Sequence, residues 1–120
     1  MKESHHALSY VEISVSDLAR AREFYAQAFG WRFNDYGPDY AGIQAADGDG
    51  EVGGLAAGGG AGPGGVVALV FSEDVDASAA AVEAAGGSLV DPPYAYPGGR
   101  RFLFTDPDGN RLGVYQPSDG

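Results

Sequence analysis

Asp17 and Gly30 bracket one amphipathic stretch, Asp74 and Gly87 bracket another, and Asp74 and Gly87 each lie 57 residues after their counterparts. An Asp before a helix accepts otherwise unpaired backbone N–H groups, and a Gly after it enters the left-handed region at little steric cost. Two helices cut at matching places, each with a strand before it and three short strand candidates after it, imply a tandem duplication of one βαβββ unit.

In the first copy Val11, Ile13 and Val15 alternate with Tyr10, Glu12 and Ser14, the period of a strand with two chemically different faces. A helix is expected over about 18–29, with Leu18, Ala21, Tyr25, Ala28 and Phe29 as its apolar stripe. Trp31 to Tyr36, Tyr40 to Ala46 and Glu51 to Ala57 read as short strands, divided by Gly37-Pro38-Asp39 and Asp47-Gly48-Asp49-Gly50. The second copy reads as a strand over 66–72, a helix over 75–85, and strands near 88–90, 101–105 and 111–116. The units run about 8–57 and 66–117, joined by a Gly-rich segment, 58–65, expected to be a flexible linker. That segment is not a phosphate loop, since a strand follows it and it holds no Lys. At 120 residues and 44% hydrophobic content, one domain with one core is expected over 1–120.

The absence of cysteine excludes disulfides, thiolate nucleophiles and sulfur-ligated metals. A net charge of −10 with seven Lys and Arg residues opposes binding to nucleic acid. No apolar run approaches the roughly 20 residues of a membrane span, and Met1-Lys2-Glu3-Ser4-His5-His6 has no hydrophobic signal region, so no membrane association and a cytoplasmic location are expected. His5 and His6 are expected to be solvent-exposed in a mobile terminus.

Asp106-Pro107-Asp108-Gly109-Asn110 joins two hydrophobic strands with ordinary turn chemistry. Together with the run Tyr10 to Leu18 and the helix closing on Phe29-Gly30-Trp31, this hairpin resembles the vicinal oxygen chelate superfamily, which includes glyoxalase I, extradiol dioxygenases, fosfomycin-modifying enzymes and bleomycin-resistance proteins. The resemblance covers about residues 8–117 and implies an α+β fold in which tandem βαβββ units form a curved mixed sheet with helices on the outer face. It also implies a homodimer, and a divalent metal held by His, Glu or Gln at four places that fall here on Tyr10, Val67, Gly113 and near Gly54. None of those four residues is a ligand for an oxygen-preferring or borderline cation, which needs several donors within about 2.0 to 2.5 Å. No metal and no cofactor are therefore expected.

The same positions suggest a pocket. By alternation, Tyr10, Glu12 and Ser14 share the concave face with Val67, Leu69 and Phe71, and the last hairpin adds Arg101, Leu103, Arg111, Gly113 and Tyr115. Tyr40 and Gln44 line the other side, and Gly113 leaves floor space. Such a mixture suits a small planar organic molecule, aromatic or cationic. The expected function is a metal-free small-molecule binding protein resembling the sequestering proteins of bleomycin resistance. The alternative is a glyoxalase- or dioxygenase-like enzyme, more readily a metal-independent isomerase or cyclase with Glu12 as general base than a metal-dependent lyase.

Overall fold

The structure, a computed structural model, describes residues 4–48, 50–58, 62 and 65–118. The chain divides into two compact units: one runs Tyr10–Val67, and the other combines the N-terminal residues up to Ser9 with Ala68 onward.

In the first unit, β1 (Leu8–Val15) leads through α1 (Leu18–Phe29) to β2 (Phe33–Asp35), β3 (Tyr40–Gln44) and β4 (Glu51–Ala57), with the first two residues of β1 belonging to the second unit. The strands lie in the order β2, β3, β4, β1; the first two pairings are antiparallel and β4 runs parallel to β1. Asp17 caps α1, accepting from the Arg20 N–H at 3.1 Å, and Gly30 ends it at φ 72°. Leu18 on the helix meets Val15, Ala41, Ile43 and Leu55 from the sheet, with Ile13, Ala21, Tyr25 and Trp31 packed around them. Two expectations for this core fail. Val11 is 42% exposed and Phe29 65% exposed, so the apolar contact is narrower than the sequence stripe.

The second unit repeats the plan with β5 (Val66–Phe71), α2 (Val75–Ala84), β6 (Ser88–Tyr96), β7 (Gly99–Thr105) and β8 (Arg111–Pro117), β5 starting within the first unit. The order is β6, β7, β8, β5, again antiparallel twice and then parallel. Asp74 caps α2 through the Ala77 N–H, and Val75, Ala79, Phe102 and Val114 form the core. The equal strand orders bear out the α+β fold built from tandem βαβββ units.

β6 extends well past the expected 88–90. It continues through Asp91-Pro92-Pro93 to Tyr96, and its register against β7 shifts on either side of Asp91. Proline cannot donate to a ladder, so the strand passes this point only by irregular pairing and only as the last strand of its unit's order. Most of the expected flexible linker, at 59–61 and 63–64, lies outside the described residues. Among those described, no helix is long and apolar enough to cross a membrane.

Candidate functional site

The sheet face of the first unit opposite α1 carries a connected set of polar side chains. Its floor is a cross-strand row, Glu12 on β1, Gly54 on β4, Gly42 on β3 and Asn34 on β2, each residue the register partner of the next. The two middle positions have no side chains, and neighbours fill the space. A Cβ on Gly54 would collide with the Tyr40 phenol, and one on Gly42 with the Glu51 carboxylate. The place near Gly54, where the resemblance puts a metal ligand, is thus taken up by the Tyr40 ring.

Glu51 is the hub. Its Oε1 accepts from the Tyr36 hydroxyl at 2.8 Å and the Asn34 amide at 2.9 Å, and its Oε2 accepts from the Tyr10 hydroxyl at 2.7 Å. All three donors are neutral. Tyr10 spends its single proton on Glu51, so its oxygen accepts from Tyr40, 2.9 Å away, and the Tyr40 hydroxyl also lies 3.4 Å from Glu12 Oε2. Gln44 donates to Asn34 Oδ1 at 2.9 Å, holding the Asn34 amide towards Glu51. Burial, reinforced by the bonds to Tyr40 and Glu51, pushes the Tyr10 hydroxyl far above the ordinary phenol range. Burial and the charges of Glu12 and Glu51 do the same to Tyr40, and the bond to Glu51 raises exposed Tyr36. At neutral pH all three are hydrogen-bond donors and none is a base.

The structure therefore brings Tyr10, Glu12, Tyr40 and Gln44 together, with Ser14 one row further along opposite Ala56. Glu51, Asn34 and Tyr36 are the residues that sequence reasoning missed. Simple alternation along β4 would send Glu51 to the same side as Gly53, Leu55 and Ala57, against the helix. The pairing shifts between Ile43 and Gln44, so that Ile43 faces Gly53 while Gln44 faces Glu51, and the extra residue, Val52, turns Glu51 onto the polar face. The Gly-Asp-Gly turn ahead of it was the only signal, and it does not encode a bulge.

In the second unit the expected residues form two rows across β5, β8 and β7: Leu69, Gly113 and Leu103, then Phe71, Tyr115 and Arg101. Leu69 is buried, and a Cβ on Gly113 would run into its side chain and approach that of Leu103 to 3.1 Å. Gly113 leaves no open floor, because Leu69 occupies that space. Tyr115 packs edge-on against Phe71 and shares a 2.6 Å hydrogen bond with Ser9, while Arg101 lies over the Tyr96 ring. Arg111 stands exposed opposite Thr105, away from these rows, and Val67 lies two residues before Leu69 in the first unit's share of β5.

The sequence profile of the Glyoxalase/Bleomycin resistance protein/Dioxygenase superfamily matches residues 7–114. The chain belongs to this superfamily. Among solved superfamily-like folds, Streptomyces coelicolor methylmalonyl-CoA epimerase, in complex with 2-nitronate-propionyl-CoA, is 18% identical over 96% of this chain and 99% of its own, with a TM-score of 0.72. The Mn(II)-bound glyoxalase from Novosphingobium aromaticivorans is 28% identical over 96% of this chain and 40% of its own, with a TM-score of 0.65. A protein of Mycolicibacterium smegmatis is 42% identical over 55 residues, so the match spans about half the length of either chain, 46% of this one and 47% of that one.

The described residues of this glyoxalase-superfamily chain do not bring together a set of donors that fits a divalent ion. Among the described residues no group of three or more His, Cys, Asp or Glu side chains converges, and both oxygens of Glu51 are already engaged by neutral donors.

Proposed function

We propose that the protein is a metal-independent binder of a small organic cation, similar to the sequestering proteins of its superfamily, with the polar face of the first unit as its recognition surface. The observation that carries this reading is Glu51, an anion on a half-buried face whose three donors are neutral tyrosine and asparagine groups. Hydrogen bonds spread that charge without cancelling it, and the rings of Tyr10, Tyr36 and Tyr40 beside it favour a planar cation through their π faces. Binding is favoured over turnover because a general base needs an oxygen within reach of the substrate, and both oxygens of Glu51 are occupied.

Glu12 is the one carboxylate that keeps an enzymatic reading in view. The Tyr40 hydroxyl beside it favours a metal-independent isomerase or cyclase, in which Glu12 takes a proton and Tyr40 donates to the oxyanion formed. Homodimerisation and a cytoplasmic location belong to the same proposal.

Benzamidine and benzoate share a shape and differ in charge, so melting curves with each at millimolar concentration test the reading directly. Benzamidine should raise the melting temperature more, and Glu51→Gln should remove the difference while the variant stays folded. Equal shifts for the two ligands, or none for either, would overturn it.

A further inference from the structure

The three donors on Glu51 are not equivalent. Tyr10 on β1 and Asn34 on β2 are half-buried on paired strands, and each is held by a second hydrogen bond: the Tyr10 oxygen lies 2.9 Å from the Tyr40 hydroxyl, and Asn34 Oδ1 accepts from Gln44 at 2.9 Å. Tyr36 lies past the end of β2, on the connection to β3, and is 59% exposed. Its backbone is fixed there, with its N–H donating to Tyr40 O at 3.3 Å and the Gly37 N–H donating to Asp35 Oδ1 at 3.2 Å. Its side chain is not bound into the sheet, and turning about χ1 carries the ring into water without breaking a strand pairing.

The two oxygens of Glu51 differ in the same sense. Oε2 meets half-buried Tyr10, and the carboxylate lies over Gly42, whose missing side chain leaves it room. Oε1 meets exposed Tyr36 at 2.8 Å, so it is the oxygen that a solute reaches once that hydroxyl turns away. A phenol that returns to water recovers there most of what its bond to the carboxylate supplied. A cationic N–H placed on the same oxygen forms a charge-assisted bond, about twice as strong as a neutral one. The exchange moves no proton. One O–H bond to Oε1 is given up to water, one N–H bond takes its place, and Asn34 stays on the same oxygen at 2.9 Å.

We propose that Tyr36 is the exchangeable donor of Glu51 and that the ligand is a cation bearing N–H groups, an amidinium, guanidinium or protonated amine, which takes the place of the Tyr36 hydroxyl on Oε1. A quaternary ammonium carries the charge and has no N–H, so it cannot replace that bond. Tyr36 thereby sets the ligand class, because a cation must supply a better donor than the phenol it displaces. This inference rests on the cation reading of the polar face and names the kind of cation the face selects.

Calorimetric titration of the wild type and of Tyr36→Phe with benzamidine and with benzyltrimethylammonium tests the exchange. The variant keeps the ring and loses the competing donor, so benzamidine should bind it roughly three- to tenfold more tightly than it binds the wild type, the size of one net hydrogen bond. Benzyltrimethylammonium should bind more weakly than benzamidine, and equally to both proteins. In the wild type, the carbon chemical shift of Tyr36 Cζ should move on saturation with benzamidine and stay in place with the quaternary ion. Unchanged or weaker benzamidine binding by a variant whose ligand-free melting temperature matches the wild type would overturn the exchange and leave the cation preference standing. A Tyr36 signal that benzamidine does not move, or a quaternary ion bound as tightly as benzamidine, would do the same. Binding of neither cation to either protein would overturn the exchange together with the reading on which it rests.

Discussion

Burial beside Glu12 and Glu51 ties the ionisation of two phenols, Tyr10 and Tyr40, to the integrity of the first unit's polar face. Tyr10 and Tyr40 have folded-state values raised above those of an unfolded chain, so their contribution to stability is fully present below about pH 10 and is lost as pH rises through the folded values. Both should ionise only as the structure opens. An ultraviolet difference titration of the wild type and of a Tyr10→Phe/Tyr40→Phe variant should therefore show the same tyrosinate signal up to about pH 11. A smaller signal in the variant would mean that the two phenols titrate in the folded state. Tyr10, Glu12, Tyr40 and Gln44 were legible as neighbours because alternation along β1 and β3 is regular. Glu51 was not, since a single extra residue at Val52 reverses the face that alternation assigns to it.

At the scale of elements, strands and helices with clean signals were readable almost to the residue, α1 over 18–29 among them, because cap and stop are encoded by side chains at fixed places. β6 runs past the expected 88–90 although Pro92-Pro93 forbids regular pairing, and the structure meets that rule by shifting register rather than by ending the strand. The row Leu69, Gly113, Leu103 shows the same limit from the other side, for a glycine in a sequence does not say whether the space it leaves is open. Here Leu69 fills it, and Gly113→Ala should cost about 1 to 3 kcal/mol as overpacking, read as a lower denaturant midpoint at unchanged slope. Adding Leu69→Ala should make the combined loss smaller than the sum of the two separate ones. Strict additivity would show that the two side chains do not compete for one volume.

At the scale of the whole molecule, the chain belongs to the superfamily while its described residues bring together no group of three or more donors of the kind a bound divalent ion requires. Protein purified without an affinity tag should carry no stoichiometric Mn, Fe, Ni or Zn by elemental analysis. Near one metal per chain, lost on replacing Glu12 or Glu51, would show that those carboxylates serve a metal after all. The doubled plan also constrains how this chain can change over generations. Gly54 and the Tyr40 phenol share one volume, so a side chain gained at 54 displaces the ring at 40 from its place beside Tyr10 and Glu12. Position 54 is tied to position 40 by that shared volume. Relatives are then expected to vary at the two sites together, with the small residue always on one side of the pair.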